Sequence, residues 1–244
     1  MNQARRFKAI CFDYYKTLVV PKYPESEAVR RFLVDLKKKI ESGEIVGTKD
    51  MDIEFVFGQS IGFFELMRRA TNIDVPIDAL IRTLTTRLGI YGEDSIRMVV
   101  DLYTEHLIRS VELPPDTLPV LKALRSMGLK LAVISNAHQV YFIKKGLRKF
   151  GLDVFFDEVV VSGDVGVRKP SQEIFFYTAT KLGVRPEDCA MVGDNVVSDF
   201  IGSLHAGMYP ILIAREEDDY KLYLGVIKRG HIVRKISEVI DIVT

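Results

Sequence analysis

The sequence predicts an α/β protein: a doubly wound parallel sheet with an α-helical cap domain inserted after the first strand. Three observations carry this. From residue 116 onward, short apolar runs alternate with segments of helical periodicity, which is the pattern of a parallel sheet joined by crossover helices. The strand candidates are apolar throughout rather than every second residue, as expected when both faces of the sheet are covered. Between the first strand and this alternation lies a block of about ninety residues with helical spacing alone, enough for a separate domain.

Residues 8–13, KAICFD, form the first strand candidate, ending on a carboxylate. Pro21 and Pro24 then interrupt regular structure. Val29, Phe32, Leu33, Leu36 and Ile40 recur at amphipathic helix spacing. Helices follow over 52–71 and 77–88, and Ile96, Val99, Val100, Tyr103 and Leu107 repeat the spacing, with Asp94 or Ser95 as N-cap. Leu113-Pro114-Pro115 closes the insert. The expected division is therefore a core of residues 1–21 and 113–244 and a cap of residues 22–112. In the core, helices over 116–127, 138–150, 171–182 and 195–206 alternate with strands at 129–136, 158–163, 189–194 and 209–214. Gly151 stands where a helix C-cap is needed. A short strand near 231–233 and a helix near 236–243 end the chain.

With 244 residues and 48% hydrophobic content the chain can bury a sizeable core. A formal net charge of +1 argues against bulk attraction to nucleic acid or to an anionic membrane. Lys37-Lys38-Lys39 reads as a solvated helix face. The two cysteines, Cys11 and Cys189, lie in strand-like apolar runs and form neither a disulfide framework nor a CxxC site. A reducing cytoplasm is the expected location. Arg5 and Arg6 precede an apolar run too short for a signal peptide, and no segment is long and apolar enough to span a membrane.

In doubly wound sheets, ligands bind beyond the carboxyl ends of the strands. Three strand candidates end there on residues able to do chemistry: Asp13, Ser135-Asn136 and Asp194. With Lys169 in VRKPSQEIF and Asp199 in VGDNVVSD, they give an ordered set: FDYYKTL, ISN, the lysine, and the paired acids. Each alone has an ordinary structural explanation, such as a strand end, a helix start or a dipole-favoured carboxylate. Together and in this order they resemble the haloacid-dehalogenase superfamily, across residues 7–20 and 113–244.

The resemblance implies a Rossmann-like core with a helical cap, and Asp13 as a covalent nucleophile. It implies Tyr15, Thr17 and Lys169 as further catalytic groups, with Ser135, Asn136 and Lys169 on a phosphoryl group. Asp13, Asp194 and Asp199 would converge, and three close carboxylates repel one another. One lysine cannot balance them, so a cation is expected, and Mg2+ suits carboxylates, waters and a phosphate. By resemblance its ligands are Asp13, the Tyr15 backbone carbonyl, Asp194, and Asp199 directly or through water. The implied activity is Mg2+-dependent hydrolysis of a small phosphate ester.

The pattern departs from the superfamily at Tyr15 and Lys16. Superfamily phosphatases carry a second Asp at the position of Tyr15, as acid and then base, and a glycine at that of Lys16. A tyrosine there resembles the metal-independent 2-haloacid dehalogenases, whose departing halide needs no proton. Those enzymes have a serine where Asp194 stands and an aromatic hydroxyl where Phe175 stands, so the fourth motif and Phe175 point to the phosphatase. A third reading, a catalytically weak regulatory protein on this fold, rests on Tyr15 and Lys16 together. His138 is placed near the second motif, while His106, His205 and His231 lack metal-ligand spacing. Phe55, Phe57, Phe63 and Phe64 read as cap core, and Glu216 to Asp219 as a solvated loop.

Overall fold

The computed structural model describes residues 7–71, 74, 77–137, 140–215 and 229–244. His138 and the acidic run at 216–219 lie outside them. The chain divides into two compact units, residues 1–20 with 113–244 and residues 21–112.

The first unit is a parallel six-stranded sheet. Its strands are β1 (Ala9–Phe12), β4 (Lys130–Ser135), β5 (Glu158–Val161), β6 (Cys189–Gly193), β7 (Tyr209–Ile213) and β8 (His231–Val233), in the order β5-β4-β1-β6-β7-β8. β1 lies central, with Phe12 beside Val133 on one side and Val192 on the other. The chain builds outward from β1 through β4 to β5, then returns to β6 and continues the other way, so the strand order reverses between β1 and β6. Both faces are covered, as the unbroken apolar runs require. Ala9, Cys11, Ala132, Ile134 and Met191 pack against Ile174, Phe175 and Ala179 of α8 (Gln172–Leu182). Ile10, Phe12, Leu131 and Val133, pointing the opposite way, are also buried. Both cysteines are buried and free.

The connections are α5 (Thr117–Ser126), α6 (Val140–Lys149), the single turn α7 (Ser162–Val165), α8, and a π-helical turn, Val196–Ile201, that runs into α9 (Gly202–His205). β5 stops at Val161, two residues short of the sequence expectation, because Ser162 turns the chain and exchanges hydrogen bonds with Ala137. No described helix is long and apolar enough to cross a membrane.

The second unit is helical: α1 (Glu25–Glu41), α2 (Ile53–Thr71), α3 (Ile77–Arg87) and α4 (Glu93–Arg109). The short strands β2 (Val20–Pro21) and β3 (Val111–Glu112) pair at its chain ends. Its core gathers Phe32, Leu36 and Ile40 of α1, Phe57 and Phe64 of α2, Leu80 and Leu84 of α3, and Val99 and Tyr103 of α4. Phe32 and Tyr103 meet edge-on, with centroids 5.1 Å apart. Of the four phenylalanines expected in this core, Phe55 and Phe63 point outward instead, each 59% exposed. Helix α4 starts at Glu93, ahead of the expected caps Asp94 and Ser95. Gly92, at φ +96°, sets the turn before it, and Arg82 of α3 holds Glu93 at 2.8 and 2.9 Å. His106 is buried against Asp35 at 3.1 Å, joining α4 to α1.

Candidate active site

The residues singled out in the sequence meet beyond the carboxyl ends of β1, β4 and β6, where the strand order reverses. Asp13 follows β1 directly. Its N–H donates to the Val192 carbonyl at 2.9 Å, which extends the strand pairing by one step and fixes the carboxylate at the carboxyl end of the sheet. Asp13 Oδ1 also accepts from Tyr14 N at 2.8 Å. Asp194 follows β6 in the same way.

Asp199 is brought in by the turn after β6. Asn195 caps it, its Oδ1 accepting from Val197 N at 3.0 Å and Ser198 N at 2.8 Å. The chain then widens into the π-turn, with Phe200 N and Asp199 N both donating to the Asn195 carbonyl. This swings the Asp199 carboxylate back over the strand end, where Oδ2 accepts from Asn195 N at 3.0 Å. Gly193 leaves the space: a Cβ there would lie 2.3 Å from Asp199 Cγ.

Lys169 reaches the site from the segment before α8. Its ammonium stands 3.0 Å from Asp13 Oδ1 and 2.6 Å from Asp199 Oδ1, and donates to the Ile134 carbonyl at 2.7 Å. Only 1% of this side chain is exposed. Asn136 holds the lysine's backbone from both sides, accepting from Lys169 N and donating to Lys169 O, each at 2.8 Å. Ser135 is buried at the end of β4. Thr17 is fully buried, and its hydroxyl has no hydrogen-bond partner. Tyr15 makes an isolated bridge with Val19.

The electrostatics of the cluster follow from its burial. Burial pushes the Asp13 carboxyl up to about 6, with Asp199 adding to the shift and Lys169 opposing it. Burial likewise raises Asp194 to about 7, with Asp13 and Asp199 adding and Lys16 and Lys169 opposing. Burial pulls on the Lys169 ammonium in the other direction, but Asp13 and Asp199 outweigh it and raise its pKa. Asp13, Asp194 and Asp199 offer one oxygen each within 4.8 Å of one another, the arrangement of a metal-holding group. Lys169 is ion-paired with two of the three, Asp13 and Asp199.

This architecture has relatives. A family description, haloacid dehalogenase-like hydrolase, matches residues 7–207. The chain belongs to that family. A glyceraldehyde 3-phosphate phosphatase of Methanocaldococcus jannaschii is 29% identical over 97% of this chain and 96% of its own length. One from Methanopyrus kandleri is 42% identical, but the match spans only 41% of this chain and 43% of that protein. Among solved structures, a haloacid-dehalogenase-type phosphatase from Thermococcus onnurineus superposes with a TM-score of 0.65 at 25% identity, covering 97% of each chain. A 2-haloacid dehalogenase from Pseudomonas syringae superposes with a TM-score of 0.66 at 17% identity, which shows the shared fold.

Within this hydrolase, Phe175 is fully buried in the sheet core. Sequence reasoning missed several supporting residues. Asn195 carried a legible signal, an Asn ahead of a helical segment. Gly193 and Gly146 carried none, because their value lies in contacts made through space. Tyr14, beside the nucleophile candidate, is fully buried, and its hydroxyl is seated against Gly146 of α6 without a hydrogen-bond partner. Its ring meets Phe142 edge-on at 5.9 Å.

Proposed function

We propose that this hydrolase is an Mg2+-dependent phosphatase acting on a small phosphorylated metabolite, with Asp13 as nucleophile. The observation that carries the reading is the triad Asp13, Asp194 and Asp199, whose oxygens lie within 4.8 Å of one another. Such a cluster is costly without a second cation, and two of its carboxyls are already raised. An all-carboxylate donor set suits a hard divalent ion such as Mg2+. Asp13, Asp194, Asp199 and the Tyr15 carbonyl would hold it, and when bound it would neutralise charge on the phosphoryl oxygens. A metal-independent dehalogenase has no use for Asp194.

The chain's own residues divide the remaining work. An Asp13 oxygen attacks phosphorus, the ester P–O bond breaks, and the leaving oxygen takes up a proton. Water then attacks the aspartyl-phosphate, releasing inorganic phosphate and restoring Asp13. Lys169 orients the Asp13 carboxylate and offsets charge on the transferring group. Ser135 and Thr17 supply hydroxyls to the phosphoryl oxygens. Asn136 acts as a positioning residue, its amide being committed to Lys169. With Tyr15 in place of a second acid, turnover is ~10²–10⁴-fold slower than in a phosphatase that keeps one. Residues 1–21 with 113–244 form the catalytic core, and the helical cap of residues 22–112 selects the substrate. The names of the relatives point to a short phosphorylated carbonyl compound such as glyceraldehyde 3-phosphate.

The test is phosphate release from an aryl phosphate and from glyceraldehyde 3-phosphate, with Mg2+ and with chelator. Mg2+-dependent release, abolished in Asp13→Asn, is expected. Activity that survives complete metal removal, or halide release from a 2-chloro acid in chelator, overturns the reading.

A further inference from the structure

The turn that follows the nucleophile candidate contains the one described non-glycine residue with a left-handed backbone, Lys16 at φ +59°. An L-residue with a long side chain rarely adopts that conformation unless its surroundings impose it. The surroundings are specific. Leu18 N and Val19 N both donate to the Tyr14 carbonyl, at 3.0 and 3.1 Å, which closes the turn on itself. The carbonyls of Lys16, Thr17 and Leu18 are taken by two side chains from distant parts of the chain. Thr117, at the start of α5, donates to the Leu18 carbonyl at 3.1 Å. Arg215, just beyond β7, donates from Nη1 to the Lys16 carbonyl and from Nη2 to the Thr17 carbonyl at 3.4 Å.

Arg215 is well mounted for this. The residue before it, Ala214, has its N–H on the Val233 carbonyl at 2.9 Å, and its own carbonyl accepts from Arg234 Nη1 at 3.0 Å. The arginine therefore projects from a segment fixed to β8. A guanidinium holds two donors in one rigid plane and can span two successive carbonyls, whereas an ammonium presents a point charge. Arg215 also lies beyond the stretch matched by the family description, which ends at residue 207.

We propose that Arg215 is a positioning residue for the nucleophile turn, and that its grip on the Lys16 and Thr17 carbonyls is what allows a lysine to occupy a left-handed position suited to glycine. Arg215 holds the turn in the shape that aims the backbone at Tyr15 and the hydroxyl of Thr17 toward the phosphoryl group. The catalytic consequence rests on the phosphatase reading above, but the clamp itself does not.

The test is a double-mutant cycle on the full chain with Arg215→Ala, Lys16→Gly and the double variant, plus Arg215→Lys. Two measurements are made on each: kcat and KM for an aryl phosphate with Mg2+, and hydrogen exchange of the backbone amides of residues 14–19. Arg215→Ala is expected to lower kcat at least 10-fold with KM within 2-fold, and to speed exchange in that turn alone. Arg215→Lys is expected to recover only part of either loss. In the Lys16→Gly background, removing Arg215 is expected to cost under 3-fold in kcat, since glycine adopts the turn unaided. Equal losses from Arg215→Ala in both backgrounds, or exchange in the turn unchanged by it, overturn the proposal. If the parent protein hydrolyses no phosphate ester, the phosphatase reading fails, and the exchange cycle still decides on the clamp.

Discussion

Gly193→Ala tests how the site is built, because it removes no charged or polar side chain and acts only by crowding Asp199. The added Cβ would lie 2.3 Å from both Cγ and Oδ2 of Asp199 and 2.4 Å from its Cβ. Carbon atoms in contact settle at ~3.5–4.0 Å, so Asp199 or the strand must move by more than about 1 Å. Asp199 has nowhere to go. Its Oδ1 is 2.6 Å from the Lys169 ammonium, its Oδ2 accepts from Asn195 N at 3.0 Å, and the residue is 2% exposed. Overpacking costs ~1–3 kcal/mol, and breaking a buried ion pair from one side ~3–5 kcal/mol. Both arise from the same displacement and do not add, so about 3 kcal/mol is expected. For a domain of this size that lowers Tm by ~6–12 °C. Phosphatase activity should fall ~10²-fold or more, as when one preorganised electrostatic partner is lost. Gly58→Ala is the control. Gly58 lies in α2 with nothing within 4 Å of the added atom, and alanine there should stabilise by ~0.5–1 kcal/mol. A Gly193→Ala protein that melts and turns over like wild type would refute the packing argument.

The raised carboxyls set a pH dependence for the metal-free protein. Asp194 titrates at about 7 when folded, against a usual 3.8, so the native state holds a proton that the unfolded chain has released. Its ionisation therefore costs stability progressively as pH rises from about 4 to about 7. In chelator, the melting advantage of wild type over Asp194→Asn should shrink across that window, and Mg2+ should restore it at pH 8 more than at pH 5; a gap that widens with pH counts against this. Lys169→Met leaves Asp13 and Asp199 facing each other, so it should cost ~3–5 kcal/mol at pH 8 and less at pH 5, where Asp13, raised to about 6, takes up a proton; equal losses at both pH values would contradict the charge argument. Gly146→Ala brings a methyl within 2.1 Å of the Tyr14 hydroxyl and should destabilise by ~1–3 kcal/mol. Tyr14→Phe, which removes that hydroxyl, should recover most of the loss, and strictly additive melting shifts in the pair would show that the two do not interact.

The elements that the sequence made legible are those whose signal is local. β1, β4, β6 and β7 announce themselves as apolar runs with turn residues at their ends, and Gly183, at φ +66°, stops α8 where the periodicity stops. The site was legible because the strand ends carry it: Asp13, Ser135 and Asp194 needed only the sheet to be brought together. The turn holding Asp199 was not legible as a π-turn. An i→i+5 pattern over Val196–Ile201 has nearly the apolar spacing of an ordinary helix, and only the backbone bonds to the Asn195 carbonyl distinguish it. Asn136 read as a phosphate ligand from its place beside Ser135, yet its amide is occupied by Lys169, a partner 33 positions away. Arg215 had no signal at all, since its carbonyl partners lie 199 and 198 positions earlier.

These distant contacts share a direction. Asn136 fixes the backbone of Lys169, Lys169 fixes Asp13 and Asp199, Asn195 and the π-turn carry Asp199 inward, and Gly193 leaves the space it fills. Asp13 and Asp199 are thus both held by Lys169, which comes from the connection between β5 and β6. A cluster of like charges requires such anchoring, because carboxylates that repel one another separate unless they are tied down. The same repulsion that makes the cluster costly in the absence of a cation is what such a cation would relieve, so tight packing around Asp199 and affinity for a divalent ion are two consequences of one arrangement. Substitutions that loosen the packing without removing a carboxylate should therefore weaken metal binding as well as stability, and Gly193→Ala, titrated with Mg2+ by its effect on Tm, separates this from a purely structural role for the glycine. If Gly193→Ala lowers Tm but leaves the Mg2+ dependence of Tm unchanged, the packing and the cation site are independent.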